Sequence, residues 1–318
     1  MRVLLAAMWL LHWLPLPLLG RLGEAIGSLL FMIMGPRRKI TLINLRLCLP
    51  ELSEDGRRRL ARQHFQVYAR SILERGILWW ASEKRLRRLI TVEPGVPLDA
   101  FAAGPLILLC PHFVCLDVAG VAVALEASAC SIYTQQQNKV FDEALRRGRE
   151  RFHPVKIFSR SAGIKPVIRA MRANLPYFML PDMDFGIKDA AFVPFFGIPA
   201  ATLTATARIA AATGAGVIPV IATYQPHYRG WIVRFYPRWD DYPGPDLVDA
   251  TTRMNLFIEQ QVRKTPAEYL WTHKRFKTRP PGEPDFYGRP TEQPEDPVHG
   301  VASGLDQKRD QERNQERD

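Results

Sequence analysis

A histidine and an aspartate stand five positions apart in the sequence. His112 closely follows an apolar run that ends at Cys110, and Asp117 comes five residues after the histidine. A carboxylate can hold one imidazole nitrogen and fix the tautomer, which leaves the other nitrogen free to act as a base. On one continuous helix, side chains at this spacing point roughly 140° apart. We therefore expect His112 in the loop before a helix and Asp117 in its first turn.

Such a pair, without a neighbouring serine, is suited to activating the hydroxyl of an acceptor directly. General-base assistance typically contributes about 10²–10⁴-fold in rate, and it requires no covalent enzyme intermediate. Cys110 and Cys115 add two zinc-ligand types to the same stretch. However, Cys110 belongs to the apolar run and no second ligand pair with metal spacing follows, so the pattern favours a base over a metal site. From spacing alone, however, a helix-capping histidine beside an unrelated aspartate is the favoured interpretation, because H-x-x-x-x-D is a weak pattern.

The elements that must position this pair alternate along the chain. The run from Pro105 to Cys110, bounded by Gly104 and Pro111, predicts a buried strand. The later segments predict helices at Val118–Leu125, Phe141–Arg151, Ile164–Asn174, Ala201–Thr213 and Thr251–Lys264, and strands at Ala129–Thr134, Tyr177–Leu180, Val217–Ile221 and Trp231–Tyr236. This alternation indicates an α/β fold, with a mixed, largely parallel sheet flanked by helices. Ligand sites in such sheets lie at the carboxyl ends of the strands, where His112 is expected.

The chain begins with a strongly apolar segment. Val3–Leu19 contains no formally charged residue, a second apolar run spans Ala25–Met34, and a basic stretch follows at Pro36–Lys39. The first run is slightly shorter than the ~20 residues of a transmembrane helix and contains Pro15 and Pro17. The segment therefore predicts a membrane-attaching helix that either spans the bilayer or lies in its interface. If it spans, the basic stretch places the rest of the chain in the cytoplasm.

Composition and charge limit the classes of partner that the protein can bind and indicate three segments of the chain. Lysine and arginine outnumber aspartate and glutamate by 43 to 32, a net charge of +11 that favours an anionic lipid, an acidic protein or nucleic acid. No recognisable nucleic-acid module is present, which disfavours the last of these. The four cysteines form no C-x-x-C pair and indicate reduced thiols in a cytoplasmic compartment. We predict a membrane anchor at 1–35, an α/β domain at 36–285 and a disordered polar tail at 286–318.

Several sequence blocks occur in a fixed order over residues 1–285. They are Arg37-Arg38 with Asn44-Leu45 and Cys48–Glu51, His112–Asp117, Ile157–Arg160, Pro181–Gly186, Phe192–Thr202, Val217–Val220 and Trp271–Pro280. In this order they resemble the late acyltransferases of lipid A biosynthesis (lauroyl and myristoyl acyltransferases), a branch of the lysophospholipid and glycerophosphate acyltransferase superfamily. His112–Asp117 matches the superfamily's H-x-x-x-x-[DE] box, although many members of this branch have glutamate where this chain has Asp117.

This resemblance implies a specific reaction. A glycerophosphate acyltransferase-like domain would move a lauroyl- or myristoyl-type chain from acyl carrier protein to a hydroxyacyl chain of a lipid A precursor. His112 would remove the hydroxyl proton while Asp117 orients the imidazole. The expected location is the inner membrane of a Gram-negative bacterium, with the catalytic domain on the cytoplasmic side. The expected partners are acyl carrier protein, the lipid A precursor and membrane lipid, with no nucleic acid, no metal and no organic cofactor.

Five further residues in these blocks are candidates for substrate binding. Arg160 could contact a phosphate or the reaction's oxyanion through a charge-assisted hydrogen bond. Asp182 and Asp184 could orient substrate hydroxyls or basic side chains, although turn and helix-capping roles are the favoured interpretation for this pair. Lys274 and Arg275 could face phosphates at the membrane surface, or could simply form a solvated basic edge.

Two other functions remain open from the sequence. The first is acyl transfer to a different lipid, such as an ornithine lipid, a glycolipid or a lysophospholipid. The second is a non-catalytic membrane adaptor that binds anionic lipid or acyl carrier protein. An adaptor has no need of His112 and Asp117, so the pair favours an enzyme.

Overall fold

A seven-stranded sheet forms the centre of the fold, and the computed structural model describes residues 1–239 and 241–288 of the chain. The strands of this sheet run in the order β1-β9-β8-β2-β5-β3-β4. They are β1 (Ile90–Glu93), β2 (Leu106–Leu109), β3 (Ala129–Tyr133), β4 (Val155–Ser159), β5 (Tyr177–Met179), β8 (Gly216–Tyr224) and β9 (Trp231–Phe235), while β6 (Ala190–Phe195) and β7 (Ile198–Leu203) form a separate antiparallel pair. All neighbours in the large sheet are parallel except β8 and β9. The predicted mixed, largely parallel sheet is confirmed.

Helices cover both faces of this sheet. They are α1 (Arg2–Leu11), α2 (Leu16–Ile33), α3 (Gly35–Cys48), α4 (Glu54–Trp80), α5 (Glu83–Leu89), α6 (Leu98–Ala102), α7 (Leu116–Ala124), α8 (Lys139–Arg149), α9 (Lys165–Arg172), α10 (Ala205–Thr213) and α11 (Leu247–Lys264). Successive strand residues point to opposite faces, so Leu106 and Leu108 of β2 join one apolar cluster, and Ile107 and Leu109 join the other. A strand buried on both faces reads as a continuous apolar run, which is why β2 was predictable.

One predicted helix begins later than expected. The Ala-rich segment was predicted to be helical from Ala201, but residues 198–203 form β7, and α10 starts at Ala205. The turn between β6 and β7 consists of Phe196 and Gly197, whose φ angles are +52° and +75°. Positive φ at both positions is the mark of a two-residue type I′ hairpin turn. The turn commits the residues after it to strand pairing, which overrides the helical propensity of Ala200 and Ala201.

The apolar N-terminus forms two helices, because the chain turns between Leu11 and Pro15 before α2 begins. Within the described residues, α2 is the one helix that is long and apolar enough to cross a membrane by length and composition, and 33% of it is buried against the protein. The buried side carries Gly20, Gly23 and Gly27. A Cβ at Gly23 would lie 2.5 Å from Cα of Arg70 in α4, and a Cβ at Gly27 would lie 2.5 Å from Cα of Gln66, so these two glycines let the helix backbones approach closely. Gly20 instead faces the ring of Tyr228.

Ordered packing extends slightly beyond the predicted end of the α/β domain. Phe286 packs edge-on against Phe276, and Tyr287 is 9% exposed, with its hydroxyl accepting a hydrogen bond from the backbone N–H of Phe276. Residues 289–318, which make up nearly all of the predicted disordered tail, lie outside the described residues.

Candidate active site

Two neighbouring parallel strands bring His112 together with Asp182. His112 follows β2 and Asp182 follows β5, and these strands are hydrogen-bonded neighbours although β3 and β4 separate them in the sequence. His112 Nδ1 lies 2.7 Å from Asp182 Oδ1. The backbone N–H of His112 donates to both oxygens of the same carboxylate, at 3.1 and 3.0 Å. The site therefore forms at the carboxyl edge of the sheet, as predicted for this class of fold.

Asp182 is 2% exposed, and its carboxylate determines which nitrogen of the His112 imidazole carries the proton. Burial alone would raise the pKa of Asp182, but His112 and its hydrogen bonds lower it below the ordinary value, so the carboxylate stays ionised. An ionised acceptor at Nδ1 requires a proton on Nδ1, which leaves the Nε2 lone pair of a neutral ring available. No hydrogen bond to Nε2 comes from residues 1–239 or 241–288, and the side chain is 16% exposed. The arrangement is that of an oriented base.

The loop that carries His112 (residues 110–115, the histidine loop) is held from the other side by a segment at residues 268–273, which we call the clamp. The backbone N–H of Leu270 donates to the carbonyl of His112 at 3.0 Å, and that of Val114 donates to the carbonyl of Glu268 at 2.8 Å. Tyr269 stands between them. Burial raises the pKa of its hydroxyl well above the ordinary value, and the Asp182 charge adds to the rise. Tyr269 therefore stays protonated near the carboxylate that orients His112.

The first of the ordered sequence blocks, which includes Arg37 and Asn44, supports this clamp. Asn44 of α3 is 1% exposed and donates from Nδ2 to the carbonyls of Trp271 (2.8 Å) and His273 (2.7 Å). Arg37 donates to the carbonyl of Thr272 at 3.2 Å. The blocks at residues 37–45 and 271–273 therefore contact one another, and through the clamp they stabilise the histidine loop.

Asp117 does not orient His112, which corrects the pairing expected from the sequence. Asp117 lies in the first turn of α7, as predicted, but its carboxylate is held by two arginines. Oδ2 lies 2.9 Å from Arg75 Nη2 of α4, and Oδ1 lies 2.8 Å from Arg149 Nη2 at the end of α8. Burial acts to raise the pKa of Asp117, but the two guanidiniums lower it to about 2. The physical reason is competition, because Nδ1 is already bonded to Asp182.

Arg160 lies at the outer side of this edge. It begins a short 3-10 turn directly after the edge strand β4, is exposed, and places its guanidinium carbon 4.2 Å from the ring centroid of Phe185. Three strand spacings of about 4.8 Å separate β2 from β4, so the ends of these strands lie roughly 14 Å apart. This separation does not suit an oxyanion contact beside His112, but it is compatible with binding a more distant anionic group of a large substrate.

The other four residues predicted to contact substrate contact groups of the protein instead. Asp182 holds His112, as described above. Asp184 is 4% exposed and accepts from the backbone N–H and hydroxyl of Thr278 at 2.7 and 2.8 Å, which is a loop-fastening role. Arg275 is 3% exposed and donates to Ala201 O (2.9 Å) and Thr202 Oγ1 (2.6 Å), so its guanidinium does not face a membrane surface. Lys274 is half-buried with its ammonium 5.4 Å from the Tyr287 ring centroid.

A buried polar cluster beside the histidine loop was not predicted from the sequence. Arg70 Nε lies 2.6 Å from Glu74 Oε1, and the Arg70 guanidinium carbon lies 3.8 Å from the ring centroid of Tyr224. Glu268 Oε2 accepts the backbone N–H of Tyr224 at 3.0 Å. Burial raises the pKa of both Glu74 and Glu268 to about 7. A Glu and an Arg four residues apart look like an exposed helix-face pair in sequence, so nothing local indicated their burial.

The cysteines near His112 point away from a shared metal position. Cys110 Sγ lies 3.9 Å from the carbonyl of Pro111, and Cys115 Sγ lies 3.9 Å from Glu268 Oε2. Among the residues that the structure describes, no three His, Cys, Asp or Glu side chains are grouped so as to hold a metal ion.

Fold and site together define an α/β protein with a histidine held by a buried carboxylate at the carboxyl edge of its sheet. A sequence model of the family described as bacterial lipid A biosynthesis acyltransferase matches residues 2–278, and the chain belongs to this family. The resemblance seen in the ordered sequence blocks is thereby confirmed.

Three individual relatives are similar to this chain over most of their length. The chain is 30% identical over 287 residues to the lipid A biosynthesis lauroyltransferase of Escherichia coli (strain K12), covering 89% of this chain and 93% of that protein. It is 29% identical over 289 residues to the palmitoleoyltransferase of the same organism, covering 89% and 92%. It is 30% identical over 282 residues to the myristoyltransferase of that organism, covering 86% and 84%.

Proposed function

We propose that this protein transfers a lauroyl- or myristoyl-type chain from acyl carrier protein to the hydroxyl of a hydroxyacyl chain on a lipid A precursor. The observation that carries the proposal is the fixed imidazole of His112, whose Nδ1 is bonded to buried Asp182 and whose Nε2 is left available at the carboxyl edge of the sheet. Family membership supplies the reaction class, and the histidine supplies the group that performs it.

The reaction follows from this geometry as a single displacement through a tetrahedral intermediate. Nε2 of His112 accepts the proton of the acceptor hydroxyl as its oxygen forms a bond to the thioester carbonyl carbon. Asp182 stabilises the imidazolium that results, because the ionised carboxylate already holds Nδ1–H. The carbon–sulfur bond then breaks, the thiolate of the carrier takes the proton from Nε2, and an ester remains on the lipid. No side chain is acylated.

The charge of the chain suits both substrates. Acyl carrier protein is acidic and a lipid A precursor carries phosphates, so a net charge of +11 favours the encounter with each. We assign Arg160 to a phosphate of the substrate rather than to the oxyanion, because its strand lies three spacings from the strand before His112. A charge-assisted contact at that distance would position the substrate without taking part in proton transfer.

We further propose that α1 and α2 lie in the membrane interface on the cytoplasmic side of the inner membrane and do not span it. Glycines of α2 pack on α4, and Glu24 of α2 accepts the Tyr228 hydroxyl at 2.7 Å. The other face is apolar and exposed, with Leu29 at 51% and Met32 at 63%. On α1, Trp13 is 68% exposed, and tryptophan is enriched at headgroup depth. A helix fastened along its length to the protein body suits an in-plane position better than a spanning one.

The proposal is tested by measuring acyl transfer from a panel of acyl carrier protein thioesters to a Kdo-bearing tetra-acylated lipid A precursor. Wild type is compared with His112→Ala in membranes or detergent, with folding checked by thermal unfolding. We expect transfer by the wild type and a loss of about 10²–10⁴-fold in the variant.

Full activity in a folded His112→Ala protein would refute the mechanism. Absence of transfer from every donor by a folded wild type would refute the acceptor assignment. In that case ornithine lipid, glycolipid and lysophospholipid acceptors are the next to test, and failure with all of them would favour the adaptor.

A further inference from the structure

An apolar cleft begins beside the histidine loop and runs beneath α7. It lies between α7 and the strands β3 and β4, with α4 and α8 on its other sides. Asp117, in the first turn of α7, and Leu180, directly after β5, line one end, next to the loops that carry His112 and Asp182. Val121, Ile132 and Ile157 line the sides. A chain bound here would thus start near the proposed base and continue among hydrocarbon side chains.

The direction of the cleft follows from the strands that line it. Ala129 and Val155 are the paired first residues of β3 and β4, so they lie at the opposite edge of the sheet from His112. On the helix side, the lining residues Asp117, Gly120 and Ala124 succeed one another at three- and four-residue steps on one face of α7. At 1.5 Å per residue, Asp117 and Ala124 are about 10 Å apart along the helix. The cleft therefore leads from the carboxyl edge of the sheet toward its amino edge.

Gly120 stands midway along this wall and has no packing reason to be glycine. A Cβ built at Gly120 would meet no atom within 4 Å, so the space in front of it is open. By contrast, a Cβ at Gly148, another residue that lines the cleft, would lie 2.2 Å from Trp79 Cδ1. Gly148 is thus explained by contact with the indole. Glycine in a helix interior is less favourable than alanine, so Gly120 lowers helix stability at a place where its own packing does not require it.

We propose that this cleft receives the acyl chain of the donor and that Gly120 keeps its middle open, which makes Gly120 a determinant of the acyl chain length that the enzyme accepts. The inference rests on the proposed acyl-transfer function. A side chain at position 120 would project into the path of the chain, about 4.5 Å along α7 from Asp117. Short chains would still fit above it, and longer chains would be excluded.

The test compares Gly120→Leu and Gly120→Ala with wild type, using donors from butanoyl to palmitoyl thioesters under the same conditions. For Gly120→Leu we expect kcat/KM for the wild type's preferred donor to fall at least about tenfold relative to the shortest donor, since one methylene in an apolar pocket changes rates by ~10–200-fold. Gly120→Ala should shift the preference less, and it should raise the Tm because alanine favours the helix. A higher Tm together with an altered donor preference is an outcome that a purely structural glycine would not give.

Gly35→Leu is the matched control, because a Cβ at this helical glycine also meets no atom within 4 Å, but Gly35 is not among the residues that line the cleft. Its donor profile should equal that of wild type. An unchanged profile in an active Gly120→Leu enzyme would overturn the inference while leaving the proposed function intact. A change confined to acceptor chain length would also overturn it, because the cleft would then hold the acceptor. Lack of transfer by wild type would refute the proposed function itself.

Discussion

The Nδ1 atom of His112 lies 2.7 Å from Oδ1 of Asp182, a residue that stands 70 positions later in the chain. The carboxylate also accepts the backbone N–H of His112, so it fixes the ring and the loop together. The aspartate of the H-x-x-x-x-D box, Asp117, instead joins α7 to α4 and α8 through two arginines. We therefore expect substitution of Asp182 to reduce activity and substitution of Asp117 to reduce stability.

Asp117→Asn should mainly reduce stability. The variant leaves Arg75 and Arg149 without their shared carboxylate. Removing one partner of a fully buried ion pair costs about 3–5 kcal/mol. We expect about 1–3 kcal/mol here, because the Arg149 side chain is 37% exposed. Chemical denaturation measures the loss, and a double-mutant cycle with Arg75→Met should return a coupling energy for the pair. A folded Asp117→Asn protein with undiminished stability but the activity of His112→Ala would show that Asp117 acts on the base.

Arg160→Ala should weaken the binding of phosphorylated acceptor and leave the proton transfer intact. Arg160 is exposed and stands roughly 14 Å from the strand end that carries His112. We expect KM for the acceptor to rise about tenfold, the equivalent of one hydrogen bond to a charged group, with kcat nearly unchanged. Arg160→Lys should recover part of the loss, and Arg58→Ala, at an exposed site on α4, is the control. A fall in kcat alone would instead indicate a contact with the reacting atoms.

Glu268 should make the folded protein less stable as the pH rises from about 4.5 to 7. Burial raises its pKa from 4.5 to about 7 in the folded protein, so in this range the unfolded chain ionises first and gains stability relative to the folded state. At 1.36 kcal/mol per pKa unit the loss reaches about 3 kcal/mol and is complete above pH 7. Glu268→Gln keeps an oxygen to accept the Tyr224 N–H and should remove this slope.

The comparison of Glu268→Gln with wild type is necessary because buried His64 and half-buried His273 titrate in the opposite sense. Burial lowers the pKa of His64 and of His273 to about 4. Both therefore contribute stability above pH 6.5 that is lost as the pH falls toward 4. Subtracting the unfolding free energies of the two proteins at each pH isolates Glu268. Parallel pH profiles would contradict the raised pKa.

Labelling a single thiol distinguishes an in-plane α2 from a spanning one. The native cysteines at 48, 110, 115 and 130 are all buried and unpaired, so an introduced surface cysteine can be followed on its own. In Arg2→Cys we expect no reaction with a membrane-impermeant maleimide in cells whose outer membrane is permeabilised, and reaction after the inner membrane is opened. Labelling before the inner membrane is opened would place the N-terminus in the periplasm and show that α2 spans.

The apolar face of α2 should also govern membrane binding. Leu29→Glu together with Met32→Glu removes two exposed apolar side chains from this face, and we expect the protein to sediment less with anionic vesicles. Leu256→Glu changes an apolar residue of α11 that is exposed to a similar degree, 49%, and should leave sedimentation unchanged. Equal effects of both changes would argue against α2 as the contacting surface.

The sequence was most informative where local patterns decide the structure. The buried strand before His112, the helix that carries Asp117 and the largely parallel sheet follow from apolar runs and their bounding prolines and glycines. The pairing of His112 with Asp182 depends on β2 and β5 being neighbours, and this order arises only when β3 and β4 are placed to one side. A usable signal was present nonetheless, because both residues follow predicted strands, whose carboxyl ends share one edge.

The orientation of His112 by Asp182 is tested most directly by the initial rate of acyl transfer in Asp182→Asn. The rate is measured beside wild type, His112→Ala and Asp117→Asn at equal folded concentration. An asparagine amide would donate to Nδ1 and so favour the tautomer that carries the proton on Nε2, where no base then remains. We predict that Asp182→Asn loses about 10²–10⁴-fold in kcat, close to His112→Ala. A near-wild-type rate for Asp182→Asn, with Asp117→Asn inactive, would contradict the proposed arrangement and assign the base to the His112–Asp117 pair.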